Sequence, residues 1–152
     1  METDTLALEL GKGLVFSQLF EGSLVMLLAL LSEHRLPSDG FAFEAVWDFS
    51  SKKTLGQLFG FLKKEMDLPD EFEAYLQAGV DARNQLVHRF IRENVRLLSS
   101  AEGKNEATQK VRTLASEIRK RDKAVGKLID VLLKKYGLSQ EALKELAGTF
   151  WN

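Results

Sequence analysis

Between residues 72 and 98 the apolar side chains Phe72, Leu76, Val80, Val87, Phe90 and Leu98 recur at steps of three, four, seven and eight. That is the period of an amphipathic helix with one core-facing stripe. At about 100° per residue, Phe72 and Phe90 share one direction, and the other four fall within roughly 80° of it. Arg83 points about 20° from the same direction, into the middle of the stripe. An arginine there needs a partner, because an unpaired buried charge costs several kcal/mol, of the order of a whole domain's stability. Asn84 and His88, four residues apart, stack at the edge of the stripe. Arg83 and His88 then diverge by about 140° on a regular helix, so the pattern predicts that a second, antiparallel copy of the chain brings one Arg83 to the other His88.

The rest of the chain is read the same way and predicts an all-α fold. A first helix spans about Asp4 to His34, softened by Gly11, Gly13 and Gly22, and stops before the turn cluster Pro37-Ser38-Asp39-Gly40. Phe41, Phe43, Trp47 and Phe49 form an aromatic connection expected to act as a lid on the core. Ser51 or Thr54 can cap a second helix that ends near Met66, with Leu55, Leu58, Phe59 and Leu62 inward. Pro69 suits the first turn of the helix that carries Arg83, and Asp70, Glu71 and Glu73 favour its positive end. A loop is expected over Ser99-Ser100-Ala101-Glu102-Gly103. A long helix follows, with Val111, Leu114, Ala115, Ile118, Val125, Leu128, Ile129, Leu132 and Leu133 as its apolar set, ending near Gly137. Ser139 caps a short last helix finishing at Phe150-Trp151. Four main helices and short connections predict an antiparallel four-helix bundle, one domain over residues 1–152, with a short additional C-terminal helix.

Composition narrows the function classes. With no cysteine, disulfides and thiolate metal sites are excluded, and a reducing cytoplasm is the expected setting. The apolar run Leu14–Leu31 has the length of a membrane span but contains Ser17, Gln18, Glu21, Gly22 and Ser23. A charge near the centre of a span costs at least about 2.5 kcal/mol, so a helix buried in protein is expected and no membrane contact. Glu2 and Asp4 replace the basic start of a signal peptide. The net charge of −1 conceals a polarity: residues 1–50 sum to −6 and residues 104–152 to +5. The basic stretch includes Arg119, Arg121 and Lys123. It can either track a phosphate backbone or form a solvated face balancing the acidic first helix, and no interleaved aromatic offers base stacking. With His34 and His88 the only histidines, no ligand set has metal spacing, and Gly11-Lys12-Gly13 lacks the spacing of a phosphate-binding loop. Neither a metal nor a cofactor is expected.

The set Arg83, Asn84, three residues of any kind, then His88, on a helix opening at Pro69 in a small all-helical chain, resembles the HEPN superfamily of nucleotide-associated helical domains. The resemblance implies a metal-independent endoribonuclease acting as a toxin or phage-defence effector. Its site would lie across a homodimer, and an antitoxin protein would be its partner. It implies Arg83, Asn84 and His88 as catalytic residues. Arg89 and Arg92 beside them, with Arg119, Arg121 and Lys123, are the candidate RNA contacts. Members paired with nucleotidyltransferase antitoxins carry a tyrosine two residues after the histidine. Here that position is Phe90, which has no hydroxyl to adenylylate.

The chemistry suits these residues. A histidine ordinarily titrates at about pH 6.5, so a neutral imidazole is available at pH 7 to take a proton from an RNA 2′-hydroxyl. The planar fork of Arg83 would stabilise charge at phosphorus, and Asn84 would orient the imidazole or donate to a phosphate oxygen. DNA lacks the nucleophile and is not expected to be cut. Glu21, the carboxylate interrupting the first helix, is the candidate partner of Arg83. The alternative function is a non-catalytic HEPN-like dimer that binds nucleotide, RNA or protein, with Arg83 in an ion pair.

Overall fold

The computed structural model describes residues 2–35, 53–65, 67–137 and 141. The expected aromatic lid (Phe41, Phe43, Trp47, Phe49), the cap at Ser51 and the last helix from Ser139 to Trp151 lie outside them. The described residues form a helical bundle with no strand. Its elements are α1 (Glu2–Arg35), α2 (Leu55–Glu65), α3 (Asp70–Asn84), a π-helical turn (Gln85–Arg89), α4 (Phe90–Asn94), a 3₁₀ turn (Val95–Ser99) and α5 (Ala101–Lys135).

Helix α1 is unbroken through its three glycines. Gly13 is a notch: a Cβ there would lie 2.4 Å from Cδ2 of Leu86, so the glycine admits a side chain from the motif helix. Ser17 is buried among apolar neighbours with its Oγ donating to the Gly13 carbonyl (2.8 Å), which satisfies it within the helix. From Leu24 to Leu31 nearly every side chain is buried, whereas the first half of the helix leaves Leu8, Val15 and Leu19 exposed. By length and composition α1 could cross a membrane, but half of its apolar stretch is buried inside the bundle.

Local chemistry fixes the other ends. Thr54 Oγ1 accepts from the Gln57 N–H (3.3 Å) while Gln57 Oε1 accepts from the Thr54 N–H (3.0 Å), a reciprocal cap that starts α2. Leu55, Leu58, Phe59 and Leu62 are buried, as their spacing predicts. Pro69 sits one residue before α3, with Asp70, Glu71 and Glu73 in the first turn. The expected loop over 99–103 contracts to a joint at Ser100, whose Oγ accepts from the Gly103 N–H (3.0 Å). Gly103 is required there, because a Cβ would lie 2.1 Å from the Leu97 carbonyl oxygen. Gly137, at φ 69°, follows the last turn of α5 in the left-handed region that glycine accepts without strain.

Cross-contacts give the helix directions. Glu9 meets Arg112 (3.6 Å), Phe16 lies under the Arg119 guanidinium (4.9 Å) and Ser23 Oγ donates to Asp122 (2.5 Å). Both members of each pair advance together, so α1 and α5 run parallel. The stretch from α3 to α4 runs against both: Gly79 faces Arg121, and Asn94 accepts from Lys110 (3.3 Å). The motif helix therefore lies beside two long helices, with α1 supplying its acidic partner.

Candidate functional site

Arg83 is the penultimate residue of α3, and the π-helical turn begins two residues later. A π-turn closes i to i+5 and holds one more residue per turn than an α-turn. Residues five apart, which a regular helix separates by about 140°, are thereby brought towards one side. Arg83 Nη1 and His88 Nε2 are 2.9 Å apart in a single chain. The expected divergence of these two residues is absent, and with it the geometric need for a second copy to complete the site.

The same turn changes which apolar residue is core. Leu86, only 6% exposed, seats in the Gly13 notch, while Val87 is 38% exposed. Assigning Val87 to the buried stripe assumed a uniform 100° step. Phe90, four residues after Leu86, is fully buried and closes the turn against the core.

Arg83 organises the cluster. Its Nη2 donates to Glu21 Oε1 of α1, and its Nη1 donates to Asn84 Oδ1 (3.1 Å) as well as contacting His88. The Arg83 side chain is 15% exposed and that of Glu21 28%, so the pair is sheltered but not sealed. Glu21 and Arg83, read as two inward charges of opposite sign, are thus joined across α1 and α3. Arg83 Nε is buried without a hydrogen-bond partner among the described residues. A buried orphan donor costs about 1–3 kcal/mol, so this guanidinium is not held in its best environment. His88 itself is exposed, leaving the far side of its ring open to solvent.

The candidate RNA contacts divide. Arg89 and Arg92 are exposed on the motif helix, next to His88 in the chain and without an ion pair among the described residues. Arg119 is exposed and stacks over Phe16, and Lys123 is exposed. Arg121 is a correction: it is 8% exposed and belongs to the interior. Its Nε donates to the Tyr75 carbonyl (2.9 Å), its Nη1 donates to the Glu117 side chain, and its guanidinium covers the Tyr75 ring at 4.1 Å. The basic run of α5 concealed it because a helix turns one residue in three or four inward, whatever its charge.

A groove of about 620 Å³ opens between α4 and the first half of α5, with Gln85, Glu93, Asn94 and Lys110 on its walls and Phe90 and Leu114 at its floor. Neither Arg83 nor His88 lines it. Gln85 lies roughly half a turn from Arg83, so groove and cluster occupy different sides of the motif helix. Among the described residues no group of three or more His, Asp or Glu gathers as a metal-ligand set. A comparison with protein families, curated proteins and solved structures finds no match to this chain.

Proposed function

We propose that the chain is a metal-independent endoribonuclease of the HEPN type, a cytoplasmic toxin or phage-defence effector held in check by an antitoxin protein, with Arg83, Asn84 and His88 as its catalytic residues. The observation that carries this reading is the 2.9 Å approach of the Arg83 guanidinium to the His88 imidazole, with Asn84 on the same nitrogen. Phosphodiester cleavage without a metal needs a base and a fixed cation within reach of one phosphate, and this cluster supplies both.

In the proposed reaction the neutral His88 ring takes the proton of a 2′-hydroxyl and the alkoxide attacks the adjacent phosphorus. Arg83 carries the growing charge on the phosphate oxygens, and the imidazolium returns its proton to the departing 5′-oxygen. The products are a 2′,3′-cyclic phosphate and a 5′-hydroxyl. Glu21 acts through Arg83, holding Nη2 so that the fork keeps its orientation. Arg89 and Arg92 guide the backbone by charge alone, so binding weakens with salt.

Pairing into a homodimer is part of the same proposal. Val87, Ile91 and Val95 form an exposed apolar row at steps of four on the motif helix, and water-exposed rows of this kind favour self-association. The HEPN-like description of the bundle belongs here too, with a motif helix that runs against α1 and α5; those two helices, parallel to each other, depart from a simple antiparallel order.

RNA incubated with the purified protein in chelator, beside His88→Ala, tests the reading. Cleavage lost in the variant supports it, and intact RNA with wild-type protein at high concentration counts against it. One observation favours the non-catalytic alternative: both Nη1 and Nη2 of Arg83 are already engaged by protein groups.

A further inference from the structure

Resting on the ribonuclease reading, we infer that the Arg83–His88 contact is a closed form of the site: the guanidinium occupies the imidazole nitrogen that must accept the proton, and a phosphate opens it by drawing Nη1 away. A guanidinium has five N–H donors and no acceptor. In the 2.9 Å contact Nε2 of His88 is therefore the acceptor, and the ring hydrogen of neutral His88 is on Nδ1. A neutral imidazole has one basic nitrogen, and here it is Nε2. While that lone pair is held by Arg83, a 2′-hydroxyl cannot donate to it.

At the corner facing the imidazole the cation is closed as well. Nη1 has two hydrogens, and its two partners are His88 Nε2 and Asn84 Oδ1. Nη2 gives one of its two hydrogens to Glu21, and Nε is buried beyond the reach of a solvent-borne group. A phosphodiester arriving over the exposed imidazole meets the guanidinium where Nη1 holds His88 Nε2, and takes Nη1 from that neutral acceptor. The exchange favours the phosphate, since a charge-assisted bond is roughly twice as strong as a neutral one. Glu21 retains Nη2 throughout, so only one corner of the fork changes partner. Base and cation are released by the same event, at the place where the phosphate sits.

The test is the tautomer of His88, read by long-range ¹H–¹⁵N correlation on the full chain, with His34 assigned through His34→Gln. The free wild-type ring should carry its hydrogen on Nδ1. Inorganic phosphate should shift the Arg83 guanidinium signals and release the ring from that form. Arg83→Met should show the Nε2–H form preferred by unrestrained histidine and should not respond to phosphate. An Nε2–H ring in the free wild-type protein overturns the inference. So does phosphate that leaves the ring locked, whether or not the Arg83 signals move. The wild-type measurements stand even if Arg83→Met does not fold. RNA cleavage together with an Nε2–H ring sinks the closed form alone, whereas an Nδ1–H ring that phosphate releases, without RNA cleavage, sinks the nuclease reading alone.

Discussion

Arg83 and Arg121 are both inward arginines paired with a glutamate, yet their surroundings differ in kind. Arg121 lies across Gly79, stacks on Tyr75, and is bonded through Nε to a backbone carbonyl and through Nη1 to Glu117. Arg83 has a buried Nε with no partner and spends Nη1 on a neutral ring and a neutral amide. The first environment leaves no buried donor without a partner. The second is incomplete at Nε, and at Nη1 a phosphate would be a stronger partner than the neutral groups that hold it. Satisfaction of donors, more than depth of burial, separates an arginine that holds the fold from one available for chemistry.

The largest effect should come from the incomplete site. His88→Ala removes the proposed base and should lower RNA cleavage in chelator by about 10²–10⁴-fold, while Arg83→Met, losing charge stabilisation, should lower it by about 10²–10³-fold. In urea denaturation the order reverses. Arg121→Met strips Tyr75 of its stacked cation, removes the side-chain bond to the Tyr75 carbonyl and leaves Glu117 without its partner, a loss of about 2–3 kcal/mol, whereas Arg83→Met should cost under about 1 kcal/mol because it also removes the orphan Nε. Equal losses at the two positions would erase the distinction between them.

The glycine beneath Arg121 sharpens the comparison at smaller scale. A Cβ at Gly79 would lie 2.6 Å from Arg121 Cγ and 3.0 Å from Phe20 Cε1, so Gly79→Ala should destabilise by about 1–2 kcal/mol despite the better helix propensity of alanine. Gly11, with nothing within 4 Å, should instead gain up to about 1 kcal/mol on the same change, read by the same unfolding curves. The smallest effect is acid dependence. Arg121, with Lys120 beside it, holds the Glu117 carboxyl below its ordinary value of 4.5. A depressed carboxylate stabilises fully above that ordinary value and loses its contribution as pH falls through the folded one. Glu117→Gln should therefore cost stability at pH 7, by under about 1 kcal/mol because the side chain is 36% exposed, and the difference should vanish well below pH 4.

Much of the fold is legible in the residues. The cap at Thr54, the buried sets of α2 and α5 and the enclosed second half of α1 follow from apolar spacing and capping chemistry, whereas the cap at Ser100 stands where the sequence predicts a loop through Gly103. The π-turn does not. A helical wheel imposes one angle per residue, and the choice of Leu86 over Val87 depends on a notch at Gly13, more than seventy positions away in sequence. The identities of the candidate site were readable at Arg83, Asn84 and His88, and the ion pair with Glu21 from two inward charges. Their convergence was not, because it rests on the wider turn. Arg121 shows the opposite failure: its charge suggested a surface, and only the packing of Gly79 and Tyr75 reveals the interior place made for it.

The wide turn at Gln85–Arg89 also bears on how this chain tolerates changes in length. A π-turn is a helical turn carrying one surplus residue, and Val87 is the exposed apolar member of this one. Deleting Val87 would leave arginine and histidine four apart on an ordinary α-turn, still on one side, and would preserve the register of Phe90 and Asn94 against α5. A one-codon deletion in the middle of the motif is thus a change the cluster can survive, while a point substitution that moves the surplus to a neighbouring turn would rotate His88 out of reach.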